Sequence, residues 1–302
     1  MLLKTLAAVM VAAATTVTAA EPSSPPTTVA GVDVTARPRG PAPPMQAVRA
    51  FVSSLSVMST GEQLAIWSKS ALPGSIGQAA LGNVPRSASG ETICPAVFGL
   101  PDDYAAFIVA RMRQVGVETG APVSQKDCET SDVNVVIAFP TDAGDFIHEL
   151  ADKIPSAFGF AYRGKLMQDL KAPVKPIRAW YATQVIDVDP RASRLSPQYR
   201  SLIAHVLIIV DAKQTDALNM GQVSDYIAMT ALAELKPDSV PADSPTILNA
   251  FSDTAAGRTP ADGVTRLDIA YLKALYAINP RQVGVLQKDQ IADRIRRDLA
   301  GP

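Results

Sequence analysis

Histidine is scarce in this sequence, which limits the chemistry that the chain can carry. Only His148 and His205 occur among 302 residues, so few side chains are available for acid–base catalysis near neutral pH. The GxSxG nucleophile elbow, the SxxK motif, the glycine-rich phosphate loop and the dinucleotide-binding fingerprint are all absent. The formal net charge is −1, and no basic stripe is present to bind nucleic acid.

Charge is also nearly absent from the first twenty residues, which are typical of a secretory signal peptide. A short basic start, MLLK, precedes the apolar stretch TLAAVMVAAATTV, and small residues follow. This pattern predicts export and cleavage after Ala19 or Ala20, giving a secreted or periplasmic protein. The alternative is a membrane anchor, but the apolar stretch is short for one and no other stretch approaches a membrane span.

Cysteine is as rare as histidine, with Cys94 and Cys128 lying 34 positions apart. In an oxidising compartment outside the cytoplasm we expect these two residues to form a disulfide. A bridge closing a loop of that length would stabilise the fold by roughly 3–4 kcal/mol in the chain-entropy model. The alternative is a pair of separate buried thiols.

The chain divides into four parts by composition. Residues 1–20 are the signal peptide, and residues 21–44 form a proline-rich tether that lacks enough apolar surface to fold. Within the tether, the β-prone segment 29–35 resembles the box of outer-membrane receptors that pairs with an energy-transducing partner by strand addition. Residues 45–90 contain a short helix and an irregular arm, and residues 91–302 form the folded domain.

The domain itself has the pattern of an α+β fold with a small mixed sheet packed against several helices. The strongest predicted strand covers 202–212, where apolar residues on both faces indicate a central position. Helix 222–235 is apolar nearly all round, as expected for a helix at the centre of the domain. The other expected elements are strands at 133–139 and 177–188, and helices at 45–55, 101–116, 142–154, 265–276 and 286–299.

Both histidines are candidates for function. His148 begins the sequence HELAD, which lacks the second histidine of the zinc-binding HExxH motif because Asp152 stands in its place. The spacing puts His148 on the solvated side of its helix, so we favour a surface helix over a metal site. For His205, in the central strand, we expect a buried and hydrogen-bonded neutral imidazole; a catalytic role would require an acidic partner and an open cleft.

Three segments near the end of the chain follow one another in a recognisable order. They are YIAMTALAEL at 226–235, SPTILNAF at 244–251 and VTRLDIAYLKALY at 264–276. The order resembles the active-site half of zincin metalloproteases, especially the metzincin-like group, in which an HExxHxxG helix precedes an "SIM" segment and an "LT..D...L..LY" helix. Uncharacterised secreted bacterial proteins with a degenerate zincin-like tail share this pattern. Thr265 and Asp268 also form a capping box, a pattern that favours the start of a helix in any protein.

The zinc ligands of that family are missing. In this alignment Tyr226 and Thr230 stand where the family has histidines, Ile227 stands where it has the catalytic glutamate, and the third ligand falls near Lys236. Because a catalytic zinc needs three protein ligands and an adjacent base, we expect no metal, no cofactor and no zinc peptidase activity.

The sequence therefore favours a non-catalytic binding or structural protein of the bacterial envelope, a pseudoenzyme on a zincin-like scaffold. One alternative is a hydrolase with a non-zinc site that uses His205 or His148 as its base. Another is an adaptor that docks through segment 29–35. The ligand or envelope partner is not specified by any motif.

Overall fold

The computed structural model describes residues 43–55, 92–130, 132–158, 170, 175–187, 199–236, 240–278 and 284–300. The signal peptide, the tether with its segment 29–35, and the irregular arm lie outside these described residues. None of the helices in these ranges is long and apolar enough to cross a bilayer.

A four-stranded mixed sheet forms the centre of the described domain. Its order is β1-β2-β4-β3, with β1, β2 and β4 mutually parallel and β3 antiparallel to β4. The strands are β1 (Pro95–Phe98), β2 (Val135–Ala138), β3 (Ile177–Asp187) and β4 (Tyr199–Val210). The predicted α+β class is therefore confirmed, and the 202–212 segment occupies the central position predicted for it.

Eight helices are found in the described residues. They are α1 (Met45–Leu55), α2 (Asp102–Thr119), α3 (Ala143–Lys153), α4 (Ala212–Thr215), α5 (Met220–Leu232), α6 (Ala250–Ala255), α7 (Arg266–Tyr276) and α8 (Gly284–Ala300). Two short 3-10 turns, Pro155–Phe158 and Ile247–Asn249, follow α3 and precede α6.

Successive side chains of a strand point to opposite faces of the sheet. The core is therefore divided into two clusters, one on each face. Val206 and Ile208 of β4 point to the first cluster, which we call the main face. Leu207 and Ile209 point to the other, which we call the second face. The domain thus has three layers, with helices on both sides of the sheet.

The main face collects most of the helices. Helix α5 packs against α2, the Ile247–Asn249 turn, β3 and β4, and α8 packs beside α7 and α1. The sequence places α1 in an arm before the domain, whereas in the structure its residues Phe51 and Leu55 are buried in this same core. The ring of Phe51 meets Tyr271 of α7 edge-on at 5.9 Å between centroids.

Far fewer of the described elements cover the second face. Asp142 is the N-cap of helix α3, and its carboxylate accepts from the Asp145 amide. Its buried side chains Phe146 and Leu150 pack with Trp180 of β3. Phe158, at the end of the following turn, meets Trp180 edge-on at 4.9 Å between ring centroids.

Helix α2 does not end where the sequence pattern suggests. The pattern allows an end at Gly116, but the helix continues to Thr119 and stops at Gly120, whose φ of 77° is left-handed. Gly116 instead permits close packing, because a Cβ there would lie 2.4 Å from a methyl group of Val123. The edge strand β1 also has no counterpart among the predicted strands.

Candidate functional site

Helix α5 contains the residues that the sequence pattern aligns with the active-site helix of zincins, so it is the first candidate site. It begins with a reciprocal capping box: the side chain of Asn219 accepts from the Gln222 amide at 2.9 Å, and the Gln222 side chain accepts from the Asn219 amide at 3.0 Å. Every residue from 222 to 232 is buried. A helix covered on all sides agrees with the apolar pattern of its sequence.

The three positions that the sequence pattern aligns with zinc-site residues, Tyr226, Ile227 and Thr230, lie inside this covered helix. Ile227 is fully buried, and Tyr226 packs edge-on against Phe251 at 5.1 Å between ring centroids. The Thr230 hydroxyl donates to the carbonyl of Tyr226, one turn earlier, at 2.9 Å. These side chains therefore pack and bond within the core instead of facing an open position where water and substrate could meet a metal.

Asp225 of α5 links the helix to two neighbouring elements. Its carboxylate pairs with the guanidinium of Arg111 on α2, with one contact at 2.8 Å, and also accepts from the Val264 amide at 2.7 Å. A Cβ at Gly263 would lie 2.4 Å from the same carboxylate, so only glycine allows this close approach. A buried carboxylate with these partners is compensated, which is the condition for keeping a charge in the core.

Asp268 connects the two remaining segments of the tail. The predicted capping box is confirmed, since the Asp268 carboxylate accepts from the Thr265 amide at 2.8 Å while the Thr265 hydroxyl caps the Asp268 amide. The same carboxylate accepts from the Thr246 hydroxyl and from the Ile247 amide. Burial raises the pKa of Asp268, and these hydrogen bonds oppose the rise. One side chain thus fixes the start of α7 against the Ile247–Asn249 turn.

Two tyrosines satisfy carbonyls at the buried end of α5. The last carbonyls of a helix lack intrahelical partners, and here the hydroxyl of Tyr181 donates to Thr230 at 2.7 Å while that of Tyr276 donates to Leu232. Burial raises the pKa of both phenols well above the ordinary value, and nearby Glu234 adds to the effect at Tyr181. Both hydroxyls therefore stay protonated and act as hydrogen-bond donors.

His205 differs from its expected environment in one respect. It is buried in β4 as predicted, at about 2% exposure, but among the described residues neither ring nitrogen has a partner that meets hydrogen-bond geometry. Burial lowers its pKa to about 4, and the backbone carbonyl of Asn134 opposes the shift. Among the described residues, no acidic side chain acts on this imidazole as a catalytic histidine would require.

His148 lies on the solvent side of α3, as its spacing indicates. Its Nδ1 atom is 2.8 Å from the carbonyl of Gly144, one turn earlier in the same helix. Within the described ranges, no group of three or more histidine, cysteine, aspartate or glutamate side chains could hold a metal ion.

Cys94 and Cys128 lie at disulfide-bonding distance, with their Cα atoms 5.7 Å apart. Cys94 precedes β1, and its amide donates to the side chain of Asn134 at 2.8 Å. Cys128 comes from the loop after α2 and packs against the second-face cluster. The cysteine pair therefore joins two loops beside the β1–β2 pairing.

Sequence reasoning identified the positions of the α5 helix but missed the side chains that hold it. Arg111, Asp225 and the hydroxyl of Tyr276 come from three different helices, and no local spacing links them. Comparison of the chain with protein families, curated proteins and solved structures found no match.

Proposed function

We propose that this chain is an exported, non-catalytic binding or structural protein of the bacterial envelope, built on a degenerate zincin-like scaffold. The N-terminal twenty residues support export through their basic, apolar and small-residue regions. The cysteine pair at bonding distance suits an oxidising compartment.

The observation that carries the proposal is the environment of α5. Tyr226, Ile227 and Thr230 are each at most 6% exposed, whereas a catalytic zinc site needs ligands that converge on an open position. Here the core contains packed side chains at those positions, and Ile227 has no group that could transfer a proton.

The contacts around Asp268 support the scaffold part of the proposal. The segment 244–251 and helix α7 correspond to two of the three segments that resemble the zincin tail. Asp268 hydrogen-bonds both of them, through Thr246 and Thr265. A shared structural link gives a physical reason for these segments to be retained together after the metal ligands are lost.

The proposal is tested by measuring export and metal content in the same preparation. The full-length chain would be expressed in a bacterial host without chelator, and the periplasmic fraction would be analysed by intact mass and by elemental analysis. We expect a mature protein beginning at Ala20 or Glu21 with no stoichiometric zinc. We also expect no hydrolysis of a peptide library after incubation with excess zinc.

A zinc peptidase taken through the same purification serves as the positive control for retained metal and for hydrolysis. One bound equivalent of zinc, or peptide cleavage above the background of the Ile227→Ala variant, would contradict the non-catalytic assignment. An uncleaved N-terminus in the cytoplasmic fraction would contradict export and leave the zinc result as a separate test of the scaffold.

A further inference from the structure

His205 is a buried histidine at the centre of the sheet. It lies on the central strand β4, opposite Ala182 of β3. Because Leu207, two residues later, belongs to the second-face cluster, alternation places the imidazole on that same face. The described elements that cover this face of the sheet are α3 and the turn Pro155–Phe158.

One polar neighbour that acts on the imidazole is Asn134, through its backbone carbonyl. The Asn134 side chain is already engaged: it accepts from the Cys94 amide and donates to the Thr92 carbonyl, both at 2.8 Å. The Asn134 carbonyl accepts from the Val206 amide, also at 2.8 Å. A proton added to His205 would therefore create a buried cation that meets, among the described residues, a carbonyl already bonded to Val206 and no charged group.

No described charged group on the surrounding elements faces His205 to offset that cation. Strand β2 and the turn Pro155–Phe158 carry no titratable residue. On β3, the guanidinium of Arg178 stacks over Trp180 at 4.9 Å from the ring centroid. The charged residues of α3 lie away from the cluster, on its exposed or partly exposed side: Asp145, His148, Glu149, Asp152 and Lys153.

We propose that His205 is an acid-sensitive trigger, and that protonation of its imidazole releases α3 and the Pro155–Phe158 turn from the sheet while the core around α5 stays folded. The cation can reach water by separation of the second-face layer from the sheet, which would disrupt a cluster of 12 described buried residues. Exposure through the main face would disrupt a cluster of 42 described residues, so opening on the second face costs less.

The direction of the pH effect follows from proton binding in the two states. Burial lowers the pKa of His205 from 6.5 to about 4, so between these values the open state binds a proton that the closed state does not. Opening therefore becomes more favourable as the pH falls from 6.5 towards 4. At pH 5 the equilibrium constant for opening should exceed its value at pH 8 by about thirtyfold.

Hydrogen exchange of the mature chain at pH 8 and pH 5 tests this trigger, after correction for the intrinsic pH dependence of exchange. Peptides covering 143–158 should lose protection by about thirtyfold at pH 5, and peptides covering 220–232 should keep theirs. His205→Leu has a similar volume and cannot titrate, so it should abolish the pH-dependent loss. His205→Gln tests the same point with a polar side chain if the leucine variant does not fold.

His148→Gln is the matched control, because it removes the other histidine of the chain and should leave the loss intact. Equal loss of protection in the wild type and in the folded His205 variants would overturn the proposal. An equal loss of protection in peptides covering 220–232 and 143–158 would also overturn it, because it would indicate global unfolding. The ring signal of His205 in nuclear magnetic resonance gives a reading that needs no variant. If the His205 ring titrated near pH 6.5 and the amides of 143–158 did not exchange faster at low pH, the proposed trigger would also be overturned.

Discussion

The two faces of the sheet differ in whether their buried polar groups are hydrogen-bonded. On the main face, Asp225 and Asp268 are buried, the hydroxyl of Tyr276 is partly buried, and each has hydrogen-bond partners. On the second face, His205 is as buried as the two aspartates, and neither ring nitrogen meets hydrogen-bond geometry with any described residue. The two regions therefore differ in how well burial is compensated, and not simply in how much apolar area they contain.

This difference separates a rigid region from one that can respond to its surroundings. A fully hydrogen-bonded polar network fixes one arrangement of a core. A buried group without a partner weakens the layer around it, because water can satisfy that group only when the layer opens. Helix α5 and its neighbours are thus the rigid part of the domain, while the histidine proposed to be acid-sensitive lies on the other face.

The largest expected effect comes from Ile227→Glu, which introduces a carboxylate at the position that the sequence pattern aligns with a catalytic glutamate. The new carboxylate would be buried at the centre of α5 without a partner, so we expect the free energy of unfolding to fall by about 5 kcal/mol. Urea denaturation followed by circular dichroism measures the change.

Val117→Glu is the matched control, because it introduces the same side chain in a helix at a site that is 67% exposed. Its effect should stay within about 0.5 kcal/mol. If Ile227→Glu were as stable as the wild type, α5 would not be the rigid and closed helix on which the comparison of the faces depends.

The cysteine pair offers the second largest effect. We expect replacement of both Cys94 and Cys128 by alanine to lower the free energy of unfolding by roughly 3–4 kcal/mol, because the unfolded chain regains the freedom of the closed loop. Since Cys128 packs against the second-face cluster, protection from hydrogen exchange should fall more there than around α5.

Two measurements check the disulfide itself. Mass spectrometry without reductant should find Cys94 linked to Cys128, and reductant should destabilise the wild type but leave the double alanine variant unchanged. Two free thiols in exported protein would contradict the disulfide.

The sequence predicted those parts of the fold that depend on neighbours in the chain. Helix 45–55 has the predicted bounds, strand β4 and helix α5 were recognised from apolar residues on more than one side, and the capping box at Thr265 follows from a four-residue pattern. These features arise from periodicity and local hydrogen bonds.

What the sequence did not predict depends on contacts between distant residues. Strand β1 is only four residues long and is stabilised by pairing with β2, so it has too little periodicity to recognise. The pair formed by Arg111 and Asp225 joins residues 114 positions apart. That His205 is buried could be anticipated from its strand, but its lack of a partner could not, because Asn134 is engaged by Cys94 and Thr92 from an earlier loop.

The smallest of these effects is expected from Tyr276→Phe, which creates on the main face the kind of defect that His205 represents on the second. Removal of the hydroxyl leaves the buried carbonyl of Leu232 without its donor, so the free energy of unfolding should fall by about 1 kcal/mol. Tyr104→Phe, at a residue that is 37% exposed, should have no measurable effect. The free energy of unfolding of both variants would be compared by urea denaturation. Equal stability of the Tyr276→Phe variant and the wild type would show that the main face also tolerates an unsatisfied polar group, which would remove the proposed distinction between the faces.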